Sequence, residues 1–354
     1  MTGSAEAGAG KADFYHIYDR PDPRDYFRTL GELDYEIPQR ALPVFQALLT
    51  ALRSGPEAAG AAPLRVLDLC CSYGVNAALL RCDVSLDELF DHYASPALAD
   101  LSPAELSRED EAYYAERCRL DAVRVSGLDV AGDAVAYGCR VGLLDGGWAE
   151  DLEAGDPSRQ LTDHLDGVDL VTTTGGVGYI TERTFDRVLG ARRDGSTPWV
   201  AAFALRMFSY DRISETLAQH GLVTEQLTGV TFPQRRFASE AEREAALREV
   251  SGRGLDPAGR EDTGRYHADF YLSRPAADAA QQPLVGLLGG AVPQSRRPTT
   301  AAAPGPRSSP GAGCAADPGR RRQSRTRGRR GAQRSTSQNP GRNHPSPSHA
   351  ASTV

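Results

Sequence analysis

VLDLCCSYGVNAALL, Val66 to Leu80, is the stretch of sequence that decides the architecture. It begins inside the apolar run LRVLDL, Leu64 to Leu69, which follows the loop GPEAAGAAP and reads as a strand buried on both faces. A carboxylate, Asp68, stands near the end of that strand. Small residues follow at alternating positions, Cys70, Ser72 and Gly74, and a helical run then starts. At such a strand-to-helix turn, small residues let the backbone approach a ligand closely. The unpaired N–H groups of the helix start face the same place.

Working outward, strand-like runs alternate with helical ones. Ile37 to Arg53 puts Leu42, Phe45, Leu48, Leu49 and Leu52 on one helical face. Further strands are predicted at Ala122 to Leu128, near Trp148, at Val168 to Thr172 and at Trp199 to Leu205. Ser85-x-x-Glu88, Ser102-x-x-Glu105 and Ser239-x-x-Glu242 have the spacing of helix-start capping boxes. Asp211 to His220 stops at Gly221. Leu222 to Val230 and Tyr266 to Leu272 are expected to close the domain as an edge hairpin. The alternation predicts an α/β fold: a doubly wound, mostly parallel Rossmann-like sheet with helices on both faces. A helical insertion over about 82–120 separates the first two strands. By βαβ geometry it is expected to be a packing or partner surface first and a lid second.

The turn resembles the first motif of class I S-adenosylmethionine-dependent methyltransferases, D/E-x-G-x-G-x-G, with Asp68, Cys70, Ser72 and Gly74 at the motif positions. Only the last glycine is retained, which implies a slightly reshaped loop. Three further elements follow in the family's order, so the resemblance covers roughly residues 60–275. VSGLDVAGDAVAY ends a second strand on Asp129, where the family's acid accepts both ribose hydroxyls of the cofactor. AYGCRVGLLDGGWAEDLE carries Glu150-Asp151, and the resemblance implies Asp151 at the adenine amino group. VDLVTTTGGVGYIT supplies the loop beside the transferred methyl, with Gly175, Gly176 and Gly178. The gap of about sixty residues between Asp68 and Asp129 is longer than the family's.

The resemblance implies S-adenosyl-L-methionine as cofactor, bound through Asp68, Cys70, Ser72, Gly74, Asp129 and Asp151, and in-line methyl transfer to a small molecule. In similar enzymes an N-terminal segment, here 13–58 with DFYHIYDRPDPRDYF, folds over the cofactor mouth. Tyr15, Gly176, Tyr179 and Arg206 are candidate substrate-pocket residues, and His16 and Tyr18 candidate catalytic ones. Any of these also has an ordinary structural role open to it. Two other functions stay open on the same sheet: a non-catalytic S-adenosylmethionine-binding or interaction protein, and a nicotinamide-dependent oxidoreductase. The latter would call for three glycines in the turn.

Composition narrows the classes. No apolar run is long enough for a membrane span and the N-terminus has no secretory core, so a cytoplasmic protein is expected. The six cysteines form no C-x-x-C pair and no zinc spacing, and are read as reduced thiols without a metal. From Gln281 onward there are twelve Arg and one acidic residue, Asp317, so this tail carries +11 and the rest of the chain −18. An acidic body does not suit a nucleic-acid surface. Residues 1–12 and the Arg/Pro/Ser-rich stretch 276–354 are expected to be disordered. The basic tail reads either as an arginine-rich arm or as a GC-rich gene in a shifted frame.

Overall fold

The computed structural model describes residues 15–54, 62–119 and 123–292. The expectations for residues 1–12 and for the tail beyond 292 lie outside the described residues. The chain starts with α1 (Tyr15–Tyr18), α2 (Arg24–Glu32) and α3 (Ile37–Arg53), then enters β1 (Leu64–Leu69) and α4 (Val75–Arg81). The insertion contributes α5 (Leu86–Tyr93), α6 (Pro96–Ala99) and α7 (Pro103–Ala115). The alternation resumes with β2 (Val123–Asp129), α8 (Gly132–Arg140), β3 (Gly146–Ala149), α9 (Arg159–Leu165), β4 (Leu170–Thr174), α10 (Glu182–Gly190), β5 (Trp199–Leu205) and α11 (Asp211–Gln219). The last part holds β6 (Leu222–Gln226), β7 (Phe232–Arg236), α12 (Glu240–Gly252), β8 (Arg265–Pro275), α13 (Ala276–Gln281) and α14 (Leu284–Leu288).

The sheet order is β3-β2-β1-β4-β5-β8-β6, with β7 also paired to β8. The first five strands are parallel neighbours, and β8 runs antiparallel to β5 and β6. Alternate residues of one strand serve opposite faces. Ala201, Phe203 and Leu205 of β5 join a core with Phe45 and Leu48 of α3 and Ala77 and Ala78 of α4. Val200, Ala202 and Ala204 join a second core with Leu161 of α9, Phe185 of α10 and Leu217 of α11. A strand sandwiched between two apolar layers has no polar face to display, which is why WVAAFAL is continuously apolar. The predicted doubly wound fold is therefore present.

Several local expectations need correction. β6 and β8 pair antiparallel and close one side of the sheet as expected, but not as a simple hairpin: β7 intervenes in sequence and also pairs with β8, which lies between β5 and these two strands. β7 reads as polar, FPQRR, and was not expected at all. Residues 276–288 are helical rather than disordered, because Leu284 and Leu288 are buried against the α3 layer. Cys82 and Cys118 are joined as a disulfide, where reduced thiols were expected. Cys70, Cys71 and Cys139 are in no disulfide. Ser239 caps α12 through Glu242 N–H, but the Glu242 carboxylate bonds Arg235 and the Ala238 N–H instead of closing the box. Both insertion boxes, Ser85 with Glu88 and Ser102 with Glu105, are complete.

The insertion packs as a brace. Phe90 and Tyr93 meet Phe27 of α2, the Tyr93 ring stacked at 4.3 Å between centroids. Arg24 donates to the carbonyls of Leu98 and Ala99. Behind these contacts, the fully buried Asp110 accepts from the Tyr137 hydroxyl at 2.9 Å and lies 2.7 Å from His92 Nε2.

Candidate functional site

The parallel register sets Asp68 opposite Gly127, so Asp68 and Asp129 arrive at the carboxyl ends of neighbouring strands. In an open α/β sheet this end is where ligands bind. Asp68 is 1% exposed; Asn76 Nδ2 donates to both its oxygens at 3.1 Å and Thr172 Oγ1 donates at 2.8 Å. Burial nevertheless pushes its pKa up to about 7, with the nearby Asp129 charge adding to the rise. Burial also raises Asp129, whose Oδ2 accepts the Ser72 N–H at 2.8 Å and Oδ1 the Ala131 N–H at 3.0 Å. Each oxygen of an ionised carboxylate has a second lone pair.

A raised Asp68 has a consequence for stability. The native state holds this proton more tightly than the unfolded chain does. Its contribution is therefore complete below pH of about 4 and is lost as pH rises through about 7. Thermal melts of the ligand-free protein are expected to fall between pH 5 and pH 8, and Asp68→Asn to flatten that slope. An unchanged slope in the variant would place the titration elsewhere.

Cys70, Ser72 and Gly74 have φ of 57°, 48° and 80°, all left-handed. The backbone takes at each alternating position a conformation that glycine adopts freely. Non-glycine residues in this region are strained by about 1 kcal/mol or more. Ser72 Oγ is also buried with no hydrogen-bond partner. Ser72→Gly removes the strain and the orphaned hydroxyl while loosening the unfolded chain, and should stabilise the ligand-free protein by about 1 kcal/mol. Ser72→Val, a β-branched side chain at the same φ, should destabilise it; a denaturant titration of the pair gives both signs.

The N-terminal segment is tied to this loop. Tyr73 Oη donates to the carbonyls of Ile17 (3.1 Å) and Arg20 (3.2 Å) and accepts the Arg20 N–H at 3.1 Å. Asp19 accepts the Asp133 N–H at the start of α8 at 2.8 Å. Burial keeps the Tyr18 phenol well above its ordinary pKa, and Tyr35, Tyr179, Arg235 and Asp129 are within electrostatic reach of it. Tyr18 packs edge-on against Tyr26, and Tyr26 against Tyr73. Tyr15 and His16 lie in α1, and their side chains fall outside the described residues.

The β4 exit closes the other side. A Cβ on Gly176 would lie 2.8 Å from Cys70 Sγ, so this glycine allows the two loops to touch. Tyr179 is 49% exposed at the same loop. Asn76 Nδ2 also reaches Thr174 Oγ1 at 3.0 Å, joining α4 to the ends of β1 and β4. Asp151 is exposed beyond β3, its Oδ1 accepting the Glu153 N–H. Glu153 itself is engaged by Thr181 and Thr184 at the start of α10.

Arg206 stands apart from this group: buried, it pairs with Glu261 and donates to the Asp256 carbonyl, anchoring the loop before β8. His164 and His267 are held near pKa 4, chiefly by burial, with Ser126 and Thr231 as partners. The histidines at 92 and 220 face Asp110 and Asp186. Sequence reasoning did not single out Asn76, Tyr35, Gln234 or Arg235. The first is legible as a polar residue in the opening turn of a helix that follows a carboxylate-tipped strand. Nothing in FPQRR marks the last two.

No family model matches the chain, and no curated protein matches it. Among solved structures it is similar to the plantazolicin methyltransferase BamL in complex with a desmethyl substrate analogue and S-adenosylhomocysteine (11% identity, TM-score 0.37, covering 76% of this chain and 97% of that one). It is also similar to the Haemonchus contortus phosphoethanolamine N-methyltransferase 2 (14% identity, TM-score 0.32, 65% of this chain), and spans about half, 52%, of that chain's length. A third is the Synechocystis magnesium protoporphyrin IX methyltransferase with bound S-adenosylmethionine (10% identity, TM-score 0.31, 66% and 80%).

Proposed function

We propose that this chain is an S-adenosylmethionine-dependent methyltransferase acting on a small molecule. The observation that carries the reading is the left-handed backbone at residues 70, 72 and 74, set between two strands tipped with carboxylates. That backbone brings main-chain groups close to a ligand at the start of α4, whatever side chains occupy the turn.

The residues fit the cofactor's parts. The second lone pairs of Asp129 suit two hydroxyls on adjacent ribose carbons, and a hydrogen bond to a charged acceptor is among the stronger kinds. Val130, 56% exposed next to Asp129, offers an apolar face to a purine ring. Asp151 keeps acceptor capacity for an exocyclic amine. Ser72 Oγ and Asn76 Oδ1 are buried and unpartnered, ready for polar groups of the amino-acid end. When bound, S-adenosylmethionine supplies a methyl group on a positively charged sulfur, so the protein's task is chiefly alignment and exclusion of water. Gly175 and Gly176 leave room at the β4 exit for the Gln234 and Cys70 side chains to approach, and Tyr18 is the candidate to meet the acceptor.

Calorimetry tests the reading, with S-adenosylmethionine, S-adenosylhomocysteine and NADH as titrants. Micromolar binding of the first two and none of NADH is the expected result. Selective binding of NADH would replace this function with hydride transfer.

A further inference from the structure

Among the described residues, four buried side-chain polar atoms without a partner gather at the same end of the sheet: Ser72 Oγ, Asn76 Oδ1, Thr173 Oγ1 and Gln234 Oε1. Two of them belong to the first turn and its helix. Gln234 does not. It lies on β7, a strand held in place by the Glu36 N–H on its carbonyl at 2.8 Å and by the pairing of β7 with β8. Its side chain is 3% exposed and reaches the β4 exit, with Nε2 2.2 Å from where a Cβ on Gly175 would sit. Gly175 has φ of 80°, so both the conformation and the room there require glycine. An amide carbonyl buried without a donor is destabilising, and a ligand N–H or O–H would recover that loss.

The charges around it select between those donors. Asp68 and Asp129 bring two carboxylates to this end of the sheet, while Glu242 is balanced by Arg235 through bonds of 2.6 and 3.0 Å. The phenols of Tyr35 and Tyr179, with Asp129 and Arg235, are within electrostatic reach of Tyr18, and ring faces attract cations. Carboxylates and ring faces at one end of the sheet oppose an anionic acceptor. It favours one on which positive charge develops during the reaction.

Resting on the methyltransferase reading, we infer that the acceptor is an amine, and that Gln234 Oε1 positions it by accepting one of its N–H groups. In the transfer, the nitrogen lone pair forms the new C–N bond and the C–S bonding pair returns to sulfur, leaving a neutral thioether. The resulting ammonium then releases one proton to water. Gln234 is a positioning residue: it holds the nitrogen on line with the methyl carbon and takes no proton itself.

The test uses the full chain and a panel of aryl- and alkylamines, each with its hydroxyl and carboxylate counterpart, following S-adenosylhomocysteine release. Transfer confined to amines is expected. Gln234→Leu should raise KM for the best amine at least tenfold, with kcat within threefold and affinity for S-adenosylhomocysteine unchanged. Gln234→Glu keeps an acceptor oxygen and should restore KM, so the pair remains informative if the leucine variant folds poorly. Transfer to alcohols or carboxylates, transfer to no member of the panel, or a wild-type KM in the leucine variant overturns the inference. A wild-type protein that binds neither S-adenosylmethionine nor S-adenosylhomocysteine overturns the underlying function instead.

Discussion

Asp129→Ala is expected to weaken S-adenosylmethionine binding by at least thirtyfold, about 2 kcal/mol, while leaving the fold intact. The carboxylate has two jobs in the structure, and they predict different variants. It fastens the Ser72 and Ala131 N–H groups, and in the proposed function its remaining lone pairs accept the ribose hydroxyls. Alanine removes both. Asparagine keeps one oxygen for the backbone and loses the charge, so its deficit should fall between alanine and wild type. Calorimetry orders the three proteins, and circular dichroism confirms that the ligand-free forms match. Equal affinities across the series would remove Asp129 from the site.

Glu242→Ala should be the most damaging change to stability, about 3–5 kcal/mol, because it strips the bidentate carboxylate from an Arg235 side chain that is 2% exposed. In a domain of this size the thermal midpoint should drop by roughly 10 °C. The same variant also frees the Ala238 N–H. Replacing both partners, Arg235→Met with Glu242→Leu, should recover most of the loss, since a buried ion pair is often no more stable than an apolar pair of similar volume. If the double variant is as unstable as the single one, the pair contributes more than mutual neutralisation.

The same ion pair explains where the sequence misled. Parallel strands β1, β4 and β5 are buried on both faces, so their hydropathy announces them. Arg235 and Gln234 are buried too, the first by pairing with Glu242 and the second against the Gly175 turn, and FPQRR therefore reads as surface. The tail boundary failed for a related reason. Leu284 and Leu288 are isolated apolar residues among Gln, Pro and Gly, and only a groove supplied by α3, far away in sequence, gives them a reason to order. The turn was legible in spacing and obscure in chemistry. Asp68, Gly74 and Asp129 could be named from pattern, whereas the left-handed φ of Cys70 and Ser72 is a backbone property that residue type argues against. Asp151 was placed by resemblance, as one of the acidic pair that ends a short strand, and Arg206 by topology alone, without any signal that Glu261 would claim it.

Tyr73 sits between Ser72 and Gly74, yet its phenolic oxygen is bonded to three main-chain groups of residues 17 and 20. The turn and the N-terminal segment are thus one mechanical part, joined at a single atom. A force applied to either is delivered to the other without passing through the sheet. Tyr18, one residue from Ile17, sits where that displacement arrives.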